Sequence, residues 1–180
     1  MLSGAAKPAE SVLFFDDAGT DAAMTTAEFI ALADCKLEIA TPDRALAAEV
    51  GGMNYPAYFK TLSARNVAIS LNLRLEKVER AGNKLVAVLF NDYDKRRHRR
   101  EVDQVVVEHG TLPLDELYFA LKAGSANLGE VDYGELIANR PQTLLRNPGG
   151  SYRLYRIGDA VAARNIHAAI YDGLRLAKDL

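Results

Sequence analysis

The apolar run Val12–Phe15 ends in Asp16-Asp17, the pattern of a short strand buried on both faces. A small, polar loop follows. Thr25-Thr-Ala-Glu28 has the spacing of a capping box and opens a predicted helix through Ala33. Lys36–Ala40 alternates in polarity and stops at Thr41-Pro42-Asp43, so strand, helix and strand make a βαβ unit within about thirty residues. After Gly51-Gly52, residues Tyr55, Tyr58, Phe59 and Leu62 fall at i, i+3, i+4 and i+7, one apolar helix face, and Val67–Leu71 is a third strand. Leu73–Arg80, a turn at Ala81-Gly82-Asn83 and Lys84–Phe90 form an antiparallel pair. A basic hairpin tip then leads into Val102–Val107, a strand able to rejoin the parallel set. The predicted fold is α/β: a Rossmann-like parallel sheet with an antiparallel β-meander inserted before its last strand.

At Glu108–Pro113 the pattern changes, which places a boundary at residue 110. The division is a tail of residues 1–10, a small α/β domain of residues 11–110, and a C-terminal segment of residues 111–180. In that segment Leu114–Leu121 is a short helix, Tyr152–Ile157 reads as a strand, Gly158-Asp159 as a tight exit and Ile166–Leu180 as an amphipathic helix. The segment has few strands of its own and reads as the return leg of a second α/β domain.

Composition narrows the function classes. The 180 residues are 49% hydrophobic and 26% charged, with net charge −2, so no global positive field gathers nucleic acid or an anionic membrane. One cysteine, Cys35, and three histidines fall short of the roughly four soft or imidazole donors that a closed zinc site or an iron–sulfur cluster takes. The first ten residues lack an apolar signal core, and no stretch nears about 18 uninterrupted apolar residues, so the expectation is a cytoplasmic protein without a membrane span.

Two strand-to-helix junctions are candidates for nucleotide binding. A dinucleotide site would place G-x-G-x-x-G after the first strand. Here only Gly19 remains, with Asp16, Asp17 and Asp21 where phosphates would sit, so an ordinary structural loop is the favoured reading. At the second junction, Arg156–His167, a strand ends in Gly158-Asp159 and a helix begins near Arg164, Asn165 and Ile166. Asp159 is placed to accept from sugar hydroxyls, and Arg164 with the helix start favours an anion; equally, Asp159 caps a loop and Arg164 is a surface charge. The run Lys95–Arg100 holds five of the 22 basic residues and is a patch able to dock an acidic electron-transfer partner or a polyanion. It lacks interleaved aromatics for stacking bases and reads foremost as a solvated tip. His109, at a strand end, and His167, at a helix start, have no neighbouring Cys or acid arranged as a nucleophile or base and read as structural, Cys35 as a buried thiol, and Tyr55, Tyr58 and Phe59 as core.

The stretches Gln104–Lys122, Ser125–Tyr133, Arg140–Leu176 and Val50–Tyr55 together resemble the C-terminal region of the trimethylamine dehydrogenase group, FMN and iron–sulfur proteins related to 2,4-dienoyl-CoA reductase and the old yellow enzymes. The resemblance spans essentially the whole chain. It implies that residues 11–110 are like the NAD(P)H domain of disulfide reductases, and that residues 111–180 are the last part of an FAD-like domain. It further implies FAD or ADP at an incomplete site of Gly158, Asp159, Arg164, Asn165 and Ile166, with FMN, substrate and a four-iron cluster in an N-terminal barrel absent from this chain. That barrel would be the principal partner. The degenerate Gly19 loop resembles the trimethylamine dehydrogenase branch, implying a fragment, itself catalytically silent, of a dehydrogenase or demethylase of N-methylated amines or amino acids. An NAD(P)H-dependent dienoyl-CoA reductase fragment is the alternative within the group, and a free-standing nucleotide-binding or interaction module the alternative outside it.

Overall fold

The computed structural model describes residue 4 and residues 6–177, and it divides into two compact units that meet in sequence between Gly110 and Thr111. The remaining tail residues, 1–3 and 5, and the predicted helix end, 178–180, lie outside the described residues.

The first unit is built on four parallel strands: β1 (Ser11–Asp16), β2 (Lys36–Ala40), β3 (Ala68–Ser70) and, last in the chain, β7 (Gln104–Glu108), in spatial order β3-β2-β1-β7. Between them lie helices α1 (Asp21–Ala31) and α2 (Tyr55–Ala64), and an antiparallel sheet of β4 (Leu73–Ala81), β5 (Lys84–Asn91) and β6 (Arg97–Val102). This is the predicted parallel sheet with its inserted meander. The two-residue period of β1 divides the core in two. Val12 and Phe14 join Ala23, Met24, Ala27 and Ile30 of α1 on one face. Leu13 and Phe15 pack with Leu73, Ala87, Leu89 and Val102 of the meander on the other. Every β1 residue from Val12 to Asp16 is buried, which is why the run needs no polar alternation.

Three local expectations are corrected. Helix α1 begins four residues before the expected capping box: Thr20 is the N-cap, accepting from the Ala23 N–H at 3.5 Å. Thr25 and Glu28 instead reach α2, to the Tyr58 hydroxyl (3.0 Å) and from the Thr61 hydroxyl (2.6 Å). The predicted strand Val102–Val107 is split at Asp103, whose carboxylate accepts from the Ser11 N–H (3.1 Å) and hydroxyl (2.6 Å) and pairs with Lys84 at 2.5 Å. These contacts, the Lys84 hydrogen bond foremost, hold the Asp103 carboxyl below its ordinary range. The chain thereby passes from the antiparallel to the parallel sheet. The basic run is not confined to a hairpin tip either: Arg97–Arg100 lie within β6, and only Lys95 and Arg96 precede it.

The second unit contains α3 (Glu116–Lys122), α4 (Tyr133–Ile137), a 3₁₀ turn at Gly158–Ala160 and α5 (Ile166–Ala177). The predicted strand Tyr152–Ile157 does not form: among the described residues its one ladder contact is a bridge from Tyr152 to Ser125. Among the described residues no large apolar side chain of this unit is buried, and its buried side chains are Ser125, Asn127 and Gln142. Asn127 acts as a polar hub: its amide donates to Glu130 O (2.9 Å) and Leu154 O (2.8 Å), and its carbonyl accepts from the Leu154 N–H (2.8 Å). Ile166, Ile170 and Leu174 form an exposed stripe along α5. No helix among the described residues is long and apolar enough to cross a membrane.

Candidate functional site

The second-unit junction is arranged around Asp172, a residue the sequence reading missed. Gly158 is buried in the left-handed region (φ +57°), and a Cβ there would stand 3.1 Å from the Ala169 Cβ, so glycine is what allows the turn to lie against α5. The Gly158 N–H donates to Asp172 Oδ2 at 3.1 Å, and the same oxygen accepts from the Arg164 guanidinium. Asn165 caps α5 through its side-chain oxygen, which accepts from the Ala168 N–H (2.9 Å). Ile166 opens the helix, 71% exposed. Asp159 is exposed and makes no hydrogen bond or ion pair among the described residues. Of the five predicted residues, Gly158 and Arg164 meet at Asp172, so the Arg164 charge is already shared, while Asn165 and Ile166 stand at the start of α5. An aspartate one helix turn after Ala168 and facing a Gly-Asp turn gives no sequence signal of that role; only the packing of α5 reveals it.

A neighbouring cavity of about 410 Å³ is lined by Tyr118, Gly129, Glu130, Val131, Tyr133, Arg156 and Val161. The Arg156 guanidinium lies 4.7 Å from the centre of the Tyr118 ring and 5.5 Å from that of Phe119, and pairs with Asp115 at 2.8 Å. Such stacking holds the guanidinium plane while leaving its charge balanced by one carboxylate.

The other sequence candidates lie in the first unit. Asp21 accepts from Asn54 (3.1 Å) and so turns toward the start of α2, while Asp16 is fully buried behind Gly19. His109 has an acidic neighbour after all: its Nδ1 is 3.0 Å from Asp17 Oδ2, because parallel pairing brings the ends of β1 and β7 side by side. Within the basic run Arg97 pairs with Glu76 (2.7 Å), Arg99 with Glu79 (3.7 Å) and Arg100 with Glu38 (2.7 Å), so much of its charge is spent internally. Cys35 is partly buried, its thiol donating to Ile30 O at 3.3 Å, and burial raises its pKa. Of the three aromatics, Tyr58 and Phe59 pack on the core while Tyr55 stacks on Phe59, ring centres 4.0 Å apart, at its solvent side.

Compared with known proteins, the chain is 54% identical over all 180 residues to a probable N-methylproline demethylase of Rhizobium meliloti (strain 1021). The chain is thus similar to a part of demethylases and dehydrogenases of N-methylated substrates, which fits a C-terminal piece of the trimethylamine dehydrogenase group. It is also 43% identical, over 99% of its length, to an N,N-dimethylglycine/sarcosine dehydrogenase of Chromohalobacter salexigens. It spans about a quarter, 26%, of the length of each of these two relatives. No family model matches it. Among solved structures, histamine dehydrogenase from Rhizobium sp. 4-9 superposes with a TM-score of 0.65 at 22% identity, over 93% of this chain and 22% of that one. That likeness shows the fold alone: an α/β chain with a four-strand parallel and a three-strand antiparallel sheet.

Proposed function

We propose that this chain is the C-terminal part of a flavin-dependent oxidoreductase that oxidatively demethylates an N-methylated amine or amino acid. The observation that carries the reading is the 54% identity to the N-methylproline demethylase along the full chain. In such a reaction an N-methyl carbon gives up two electrons and a proton to the flavin, water adds to that carbon, and formaldehyde and the demethylated amine leave. This chain holds no part of that chemistry. FMN, substrate and a four-iron cluster belong to the barrel of the parent protein, and the 180 residues alone are catalytically silent.

The role left to the second unit is to close an adenine-nucleotide domain, with FAD or ADP held at Gly158, Asp159, Arg164, Asn165 and Ile166. Three features support a fit. Asp159 has an unoccupied carboxyl for sugar hydroxyls, the α5 start has N–H groups of Ile166 and His167 beyond those that Asn165 caps, and Gly158 admits close approach. The exposed α5 stripe and the unpaired Tyr152–Ile157 segment are what an α/β unit leaves when its remaining strands lie elsewhere in the parent chain.

The test uses the full-length parent enzyme. It should release formaldehyde from N-methylproline or a related N-methyl amino acid, and Asp159→Ala should weaken its adenine nucleotide by roughly tenfold to a hundredfold, the equivalent of about 1.5–3 kcal/mol for a hydrogen bond to a charged group, while FMN content stays unchanged. Full-length protein that demethylates none of these substrates would sink the activity. Nucleotide held at wild-type affinity by Asp159→Ala would sink the site.

A further inference from the structure

The Gly158–Ala160 turn lies along the side of α5. A Cβ on Gly158 would stand 3.1 Å from the Ala169 Cβ, and one on Gly173 would stand 3.6 Å from Ile157 Cδ1. The turn closes on itself through the Val161 N–H, which donates to Gly158 O at 2.9 Å. Asp172 is six residues beyond Ile166, which places it about 9 Å along the axis from the helix start at a rise of about 1.5 Å per residue. Its Oδ2 accepts from the Gly158 N–H at 3.1 Å and from the Arg164 guanidinium.

Because one oxygen serves both donors, the Arg164 guanidinium is held within two hydrogen-bond lengths of the Gly158 nitrogen. Its charge therefore sits back along the helix, away from the N–H groups at the start of α5. Asp159, the next residue of the same turn, is exposed and has no hydrogen bond or ion pair among the described residues. A long arginine side chain held so close to Gly158 is in reach of both carboxylates, and Asp172 is the one that holds it. The physical reason is burial and anchorage: the Asp172 side chain is only 23% exposed and is fixed on a helix, so its attraction for the guanidinium is screened less than that of an exposed turn residue.

We propose that Asp172 is a positioning residue for the adenine-nucleotide site: by binding Arg164 it keeps the guanidinium off Asp159, whose carboxyl stays open to accept from sugar hydroxyls. The role rests on the adenine-nucleotide reading of this turn. Arg164 then belongs to the site as the partner of Asp172, and the helix start meets the anion with its own N–H groups. The sign of the effect separates two consequences of losing the Asp172 charge. If Arg164 turns to Asp159, sugar hydroxyls must displace it and the nucleotide binds more weakly. If Arg164 turns to the phosphates, the nucleotide binds more tightly.

The test uses the full-length parent enzyme freed of adenine nucleotide, with ADP affinity measured by calorimetry. Asp172→Asn leaves a neutral oxygen for the Gly158 N–H and no charge for Arg164. It should weaken ADP by about twofold to fivefold, the effect of competing with an exposed ion pair. In an Asp159→Ala background the same change should cost nothing further, since no carboxyl is left there for Arg164 to block. A turn that was merely loosened would weaken ADP in both backgrounds, and that result overturns the proposal. So does unchanged or tighter binding by Asp172→Asn. Asp159→Ala alone separates the two claims: if it weakens ADP while Asp172→Asn does not, the nucleotide site stands and the role of Asp172 falls, and if neither weakens ADP, both fall. A crystal structure of the wild-type parent with ADP needs no variant. It should show Arg164 on Asp172, and Arg164 on Asp159 or on the phosphates would overturn the proposal.

Discussion

Truncating Leu89 to alanine should cost the first unit about 3 kcal/mol, within the range for emptying a core leucine. Leu89 is fully buried in β5, paired with Leu75 on one side and His98 on the other, and lies in the cluster that joins the meander to Leu13, Phe15 and Ala40 of the parallel sheet. Burying a leucine side chain is worth roughly 1.5–3 kcal/mol. Two sheets bound the void, so it collapses poorly and its cavity cost adds to that figure. The control is Leu117→Ala in α3, where the side chain is 72% exposed and the expected change is within about 0.5 kcal/mol. The chain has no tryptophan, so urea unfolding is followed by far-UV circular dichroism. With a slope of about 1–3 kcal/mol per molar urea, Leu89→Ala should lower the midpoint by roughly 1–3 M while Leu117→Ala hardly moves it. A loss below about 1 kcal/mol for Leu89→Ala would refute the account of the core. A Leu117→Ala loss as large as that of Leu89→Ala would refute the view that the second unit leaves its apolar side chains uncovered.

Glu38→Gln should destabilise the first unit by about 1.5–3 kcal/mol, because Glu38 ties Arg100 of β6 (2.7 Å) and the Ser70 hydroxyl of β3 (2.7 Å) to β2; chemical unfolding at neutral pH measures it. Gly158→Ala should cost about 1–2 kcal/mol through its left-handed backbone and speed hydrogen exchange at Val161, whose N–H bonds to Gly158 O at 2.9 Å. The Asp16 carboxyl has its pKa raised in the fold, first by burial and then by Glu108 and Asp43, against the N–H groups of Gly19 and Ala18. Its contribution is therefore fully present below the unfolded carboxyl pKa and declines as pH rises through the folded one. Urea midpoints across acid to neutral pH should show that decline in the wild type and its absence in Asp16→Asn. Asp172→Asn should loosen Arg164, shown by faster exchange at the Gly158 amide.

Most of the first unit was legible because its signals are local. An apolar run such as Val12–Phe15, an alternating Lys36–Ala40 and a helical stripe through Leu62 each bury a face whose period is set by backbone geometry, so order and type of element follow from them. The tight turn at Gly158-Asp159 and the helix starting at Ile166 were legible for a similar reason, since each is set by residues close in sequence. What tertiary structure alone decided are contacts between residues far apart in the chain. Thr20 rather than Thr25 caps α1 because Thr25 and Glu28 find α2 some 33 residues on. Asp103 ends one strand and begins another because Ser11 and Lys84 meet it there. Asp17 meets His109 because β1 and β7 pair in parallel, and Glu49 closes on Gly19 because Leu46 and Val50 are buried against α1. Tyr152–Ile157 carries a strand's composition yet among the described residues pairs only through the bridge from Tyr152 to Ser125. Periodicity specifies which face an element must bury; which distant residues supply the other side depends on the energy of the whole packed arrangement.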